Sequence, residues 1–220
     1  ISSKAIKYGA DKKKIKVIYS CLNFDLIRKY KKNQLDTHKP YRFISVGRSH
    51  WVKGYHYSLS AMHRLIQKDF LIQYNIICNN DPSEELLFQI SDLSLEKNVI
   101  VQKLPSQEQV YKKMKESDCF ILPSVNEGIS NAVIESMSIG LPVVSSNCGG
   151  MEEVIRNGNN GFLYKNRDVN QLEKTLETVM NLKVEKRYEV IKSALIDISE
   201  KFNSDGIKHK FHDLYKNTLR

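Results

Sequence analysis

The sequence predicts an α/β fold, a parallel sheet with helices on both faces. Two observations carry this expectation. From Tyr41 onward, short apolar runs alternate with segments whose apolar residues recur at helical spacing. The joining segments are short and carry cap and turn residues, as strand–helix–strand crossovers do.

Taken in order, residues 43–46 form a short apolar strand that stops at Gly47. Tyr55, Leu59, Met62 and Ile66 then mark one face of a helix. Residues 71–78 read as a buried strand. Asp81, Pro82 and Glu84 follow as an N-cap, a proline at the first helical position and a box acid. Residues 98–103 are the next strand, and Ser106 with Gln109 opens a helix to about Ser117. The strand 119–122 is stopped by Pro123. A helix from Asn131 to Ile139 ends at Gly140, a good C-terminal cap. After a strand at 142–146, Gly149 and Gly150 turn the chain into a short helix at 152–156. Gly158 and Gly161 bracket a tight turn before a strand at 162–164. Asp168 caps a helix to about Met180, and two more helices follow.

Residues 1–35 do not fit this unit. They read as a helix end, a strand at 15–19, and a polar, lysine-rich connector between about Asp25 and Lys39. The 220 residues suffice for one well-buried core with a short appendage. The first residue is Ile1, with no charged-then-apolar leader pattern, and is read as the start of a fragment or processed chain. No run of 18 apolar residues suits a membrane span. Cys21, Cys78, Cys119 and Cys148 contain no CxxC pair, so neither a metal site nor a disulfide framework is expected, and a reducing cytoplasm fits. The formal net charge of +9 suits either a solvated basic surface or a polyanionic partner. No recognition-helix or aromatic–basic pattern supports nucleic acid.

In a sheet of this type, ligands bind beyond the carboxyl ends of the strands. The first such end reads Gly47-Arg48-Ser49-His50-Trp51-Val52-Lys53-Gly54. Arg48 offers a planar fork and Lys53 a point charge for phosphate oxygens; two surface cations flanking a glycine turn is the plainer reading. The loop is neither GxGxxG nor GxxxxGK[ST], which argues against a dinucleotide dehydrogenase and a P-loop enzyme. The second end runs from Pro123 and Ser124 through Glu127 and Gly128 to Glu135. Its two carboxylates suit hydroxyl-rich ligands, and the amides at Ile129, Ser130 and Asn131 with the helix dipole suit a diphosphate. Two solvated acids near a helix start is the alternative. His50 and Trp51 fit either a ligand pocket or loop packing. His209 and His212, spaced as metal ligands are, lack a third partner and read as a surface helix.

Together these patches resemble the C-terminal domain of retaining glycosyltransferases of the GT-B fold, family 4. The matching motifs are Gly47-Arg48-x4-Lys53-Gly54, Pro123-Ser124 with Glu127-Gly128 and Glu135, Gly140-Leu141-Pro142-Val143-Val144, Gly149-Gly150-x2-Glu153-Val154-Ile155, and the turn from Asn157 to Leu163. The resemblance implies a Rossmann-like domain, the C-terminal half of a GT-B fold. It divides the chain into a tail of the N-terminal domain with its linker (1–35), a nucleotide-sugar-binding domain (36–200) and a C-terminal helix (201–220) crossing back.

It implies that Arg48 and Lys53 bind a donor diphosphate after the turn at Gly47. Glu127 contacts the donor sugar as an orienting group, and Glu135 holds the ribose. The backbone of Gly128, Ile129, Ser130 and Asn131 cradles phosphate or sugar, and Lys103 and Leu104 meet the base. Catalysis is expected from Glu127, Arg48 and Lys53, without metal or cofactor, on a UDP- or GDP-sugar. Ile129 and Ser130, where many members carry an aromatic and a glycine, resemble a subgroup that makes bacterial surface polysaccharides. The expected partners are the nucleotide-sugar, an acceptor glycan that is lipid-linked in many such systems, and an anionic membrane touched peripherally. The expected place is the cytoplasm, with the inner face of the plasma membrane open to it. Acceptor groups belong to the other GT-B domain, so this chain is expected to bind nucleotide without transferring sugar. A nucleotide-sugar 2-epimerase-like isomerase and a non-catalytic nucleotide-sugar-binding module remain as alternatives.

Overall fold

Strand and helix alternate in the computed structural model as the apolar pattern requires. The structure describes residues 2–20, 22–33, 39–202 and 204–218. Among them, six parallel strands form one sheet: β1 (Tyr41–Val46), β2 (Ile72–Cys78), β3 (Val99–Lys103), β4 (Cys119–Leu122), β5 (Val143–Ser146) and β6 (Phe162–Tyr164). Their spatial order is β3-β2-β1-β4-β5-β6. Neighbouring registers pair Phe43 with Tyr74 and with Cys119.

Side chains alternate across the sheet with period two. Phe43, Ile76, Ile121 and Val144 point into one core with α3 (Tyr55–Gln67), α4 (Glu84–Asp92) and α7 (Val169–Met180). Ile44, Ile77, Phe120 and Val143 point into the other, with α5 (Gln107–Lys115), α6 (Asn131–Ile139) and α8 (Val184–Lys201). Both faces are therefore covered, which is why the central strand β4, Cys-Phe-Ile-Leu, is apolar and buried at every position. The amphipathic helix α7 puts Leu172, Leu176 and Val179 into the first core at 0% exposure.

Several local expectations hold. Ser106 accepts from Gln109 N at 3.3 Å and Asp168 from Gln171 N at 2.9 Å. Gly140, at φ 98°, closes α6. Cys78, Cys119 and Cys148 are buried free thiols, while Cys21 lies outside the described residues.

Other expectations are corrected. Asp81 does not cap α4; Ser83 does, accepting from Leu86 N at 3.4 Å, and Pro82 lies outside the helix. The Asp81 carboxylate instead pairs with Lys103 at 3.3 Å. The strand expected at 15–19 joins no sheet. Tyr19 is drawn away by Phe202, 5.1 Å between ring centroids, and by Glu153, whose carboxylate accepts its hydroxyl proton at 3.2 Å. The connector begins with a helix, α2 (Phe24–Arg28), capped by Asn23 and anchored by buried Ile27; residues 34–38 fall outside the described residues. The helix expected at 152–156 is a 3-10 turn, Met151–Glu153. The remaining α-helices are α1 (Ser2–Lys7) and α9 (Ser204–Thr218), and among the described residues no helix is long and apolar enough to cross a membrane.

Candidate functional site

The strand order reverses between β1 and β4: the chain runs outward from β1 to β3, then returns to place β4 on the other side of β1. A crevice opens beyond strand ends at such a switch point. The loops leaving β1 and β4 are the two that the sequence marks, and the structure brings them into contact.

Glycine makes that contact possible. Gly54 sits at φ 65°, and a Cβ there would lie 2.1 Å from the Pro123 carbonyl oxygen. Val125 N donates to Val52 O at 2.9 Å and ties the loops together. Across this seam the Lys53 ammonium forms an ion pair with the Glu127 carboxylate. Ser124 Oγ donates to the same Glu127 oxygen at 3.1 Å. Both charged side chains are largely buried, at 18% and 16% exposure, so their attraction is less screened than on an open surface.

The Glu127 loop rests on the turn after β5. Gly149, at φ 60°, would put a Cβ 1.6 Å from Glu127 O, and Gly150 N donates to Gly128 O at 2.8 Å. Asn166, after β6, donates through Nδ2 to Val125 O at 2.8 Å. Loops from four strands thus converge to fix one carboxylate.

Arg48 is exposed and forms no ion pair or hydrogen bond among the described residues. Its guanidinium stands on the same loop as Lys53 without an anionic partner. Ser130, the N-cap of α6, makes no side-chain cap bond, so its hydroxyl leaves the first amides of the helix to other acceptors. Glu135 lies one turn inside α6 and is buried, at 7% exposure. One of its oxygens accepts from Gln107 Nε2 at 2.7 Å and from Tyr111 Oη at 3.1 Å. Burial raises its pKa above the usual carboxylate range, with those two hydrogen bonds opposing the shift. Burial, then the Glu135 charge, raises Tyr111 in turn. Beneath the loops, the Tyr55 hydroxyl is buried without a hydrogen-bond partner among the described residues, as are Tyr164 Oη and Asn166 Oδ1.

Of the residues singled out from sequence, Gly47, Lys53, Glu127, Gly128, Ile129, Ser130 and Asn131 fall on these two loops and the start of α6. Lys103 and Leu104 end β3, two strands away from β1, and Lys103 is tied to Asp81. Trp51 is 68% exposed and lines a cleft with residues of α4. His209 and His212 are exposed on α9, and among the described residues no group of three or more His, Cys, Asp or Glu side chains is placed to hold a metal ion. Sequence reasoning missed Gln107, Tyr111 and Asn166. The i,i+4 spacing of Gln107 and Tyr111 placed them on one helix face, but not against Glu135.

The family model of glycosyl transferases group 1 matches residues 27–195. The chain belongs to this family. Its six-stranded sheet is the C-terminal domain of the GT-B fold. Relatives in the family include the amylovoran biosynthesis glycosyltransferase AmsK of Erwinia amylovora, 35% identical over 141 residues, which span 61% of this chain and 35% of that protein. The putative colanic acid biosynthesis glycosyltransferase WcaL of Escherichia coli K12 is 27% identical over 94% of this chain and 52% of its own length. The chain therefore spans about a third to a half of the curated relatives it matches. Among solved structures, Anabaena Alr3699/HepE in complex with UDP and glucose superposes with a TM-score of 0.83 at 22% identity, covering 98% of this chain and 60% of that one. That likeness bears on the fold.

Proposed function

We propose that this glycosyl transferase domain binds the donor of a retaining sugar transfer, with a nucleoside diphosphate seated between the β1 and β4 loops. The observation that carries the reading is the meeting, at the topological switch point, of unpaired Arg48, Lys53 and the uncapped start of α6 with two carboxylates. Cations and helix amides complement a diphosphate. Carboxylates accept hydrogen bonds from hydroxyls, which suits Glu127 to the sugar and Glu135 to the ribose. The HepE structure holds UDP and glucose, which makes a UDP-sugar the first donor to try. The AmsK and WcaL relatives carry names from exopolysaccharide synthesis, which suggests a growing surface glycan as acceptor.

In the proposed reaction the bond from the sugar's anomeric carbon to the diphosphate oxygen breaks, and the acceptor hydroxyl oxygen bonds to that carbon on the same face, its proton passing to the departing diphosphate. Negative charge develops on the departing diphosphate, where Arg48, Lys53 and the α6 amides stabilise it. Before the donor arrives, Lys53 is held by Glu127. Diphosphate binding would draw the ammonium away and leave the carboxylate to accept sugar hydroxyls, so the two events are coupled. Residues 1–35 and 201–220 are assigned to the connection with an acceptor-binding domain, and residues 36–200 to donor binding.

Calorimetric titration with UDP and GDP tests the reading. Binding by one of them, weakened in both Arg48→Ala and Glu135→Ala, supports it. Losing one charge-assisted hydrogen bond costs roughly 1.5–3 kcal/mol. No heat with either nucleotide, or unchanged affinity in both folded variants, would reject it.

A further inference from the structure

The turn whose Lys53 pairs with Glu127 leaves Trp51 68% exposed. Beside Trp51 lies a cleft of about 370 Å³ between the β1–α3 loop and the first turns of α4. This is within the ~300–1,000 Å³ span of small-molecule sites. Trp51 and His50 form one wall, with ring centroids 5.7 Å apart, and Glu85, Leu86 and Gln89 form the other. Among the described residues, none lining it is Lys or Arg, on a chain that carries 34 of them. Its one charged side chain is Glu85, which forms no ion pair among the described residues. The lining itself therefore gives a phosphate or other anion no lysine or arginine to bind, in contrast to the loop that carries Arg48 and Lys53.

The polar groups are set for hydroxyls. His50 Nδ1 accepts from Val52 N at 3.3 Å, so the ring N–H is on Nε2, free to donate. Gln89 Nε2 donates to His56 O at 3.0 Å, so its amide oxygen remains an acceptor. Glu85 adds a carboxylate, the group that takes two neighbouring hydroxyls. The indole face, 68% exposed, offers a flat apolar surface to the C–H side of a sugar ring. We propose that this cleft is a saccharide subsite: it holds a neutral sugar unit on Trp51, with hydroxyls on Glu85, Gln89 and His50. The choice of a glycan as occupant rests on the glycosyl-transfer reading. A unit held there would keep a growing chain beside the loop that carries Arg48 and Lys53.

Trp51 is the one tryptophan of the sequence, so its fluorescence reports this cleft. Maltose, lactose and N,N′-diacetylchitobiose are the probes, each titrated while Trp51 emission is followed. A saturable change with at least one of them, at a Kd on the order of millimolar, is expected. Glu85→Ala and Gln89→Ala should each weaken it about fivefold, the effect of one hydrogen bond near 1 kcal/mol. Trp51→Ala should abolish saturation-transfer NMR signals from the same sugar while leaving the thermal midpoint within a few degrees. No saturable change with any of the three, or equal affinity in both α4 variants, overturns the subsite. A parallel UDP titration separates the readings. UDP heat with a silent Trp51 overturns the subsite and spares the donor site; sugar binding without UDP or GDP heat does the reverse.

Discussion

Replacing Glu127 with glutamine should strengthen binding of the free nucleoside diphosphate. In the structure Glu127 holds Lys53 in a pair that is mostly buried. A phosphate oxygen sharing that ammonium would sit about 5 Å from the carboxylate oxygen, two charge-assisted contacts apart. At an effective dielectric of ~20, the repulsion between those two oxygens is ~3 kcal/mol, and water at the open crevice reduces it. Glu127→Gln keeps the shape and the Ser124 contact but removes the charge. A gain near 1.4 kcal/mol, about tenfold in Kd, is the expected net effect. The assay is calorimetry with UDP and GDP at moderate salt, repeated with the corresponding nucleotide-sugars. Free diphosphate should bind tighter, while the sugar nucleotide gains little because its sugar loses an ionised acceptor. A tenfold loss of UDP and GDP affinity in Glu127→Gln, with the fold intact, would refute the partner exchange.

Glu135 carries a pH signature. Its pKa is raised in the folded state, so the folded protein holds that proton more tightly than the unfolded chain does. Its contribution to stability is therefore greatest below the ordinary glutamate range near ~4.3 and is lost as pH rises through the raised value. Glu135→Gln should flatten that part of the curve of urea midpoint against pH; an unchanged slope would deny the shift. Nucleotide affinity should rise across the same window, as the ribose acceptor ionises. Among the glycines, Gly149→Ala must force a Cβ into Glu127 backbone and also hold a left-handed φ, which alone costs roughly 1–2 kcal/mol. Gly158→Ala meets nothing within 4 Å and carries only the φ term. Thermal unfolding should thus rank Gly149→Ala well below Gly158→Ala, with nucleotide binding lost in the former alone. Arg48→Ala should leave the thermal midpoint unchanged, since Arg48 has no partner among the described residues to lose, while UDP or GDP affinity falls about tenfold or more.

Much of this was legible in the residue pattern. Apolar runs such as Cys119–Leu122, buried at every position, could sit only in a strand covered on both faces. Ser106, Asp168 and Gly140 announced helix ends because capping is a local matter of one side chain and a few backbone groups. The same local logic failed at α4, where Asp81 was expected to cap: Ser83 takes that place and Lys103 engages Asp81. It failed again at 15–19, whose alternating apolar residues suit a strand. There Tyr19 found Glu153, 134 positions along the chain, and Phe202, further still.

By itself, then, the sequence determined the α/β class, the strand and helix alternation, the family resemblance and which loops carry charge. Each follows from periodicity, from short-range caps or from motifs read in order. Only the tertiary structure decided that Lys53 pairs with Glu127, that Glu135 is buried on Tyr111 and Gln107, and that Trp51 lines a cleft against α4. The first depends on the crossover that sets β4 beside β1 and on the glycines that let their loops touch; the others depend on how α5 packs beside α6 and α4 beside α3. Contacts between residues 24, 28 or 74 positions apart have no local signature, because the geometry that makes them exists only once the sheet and its helices are assembled.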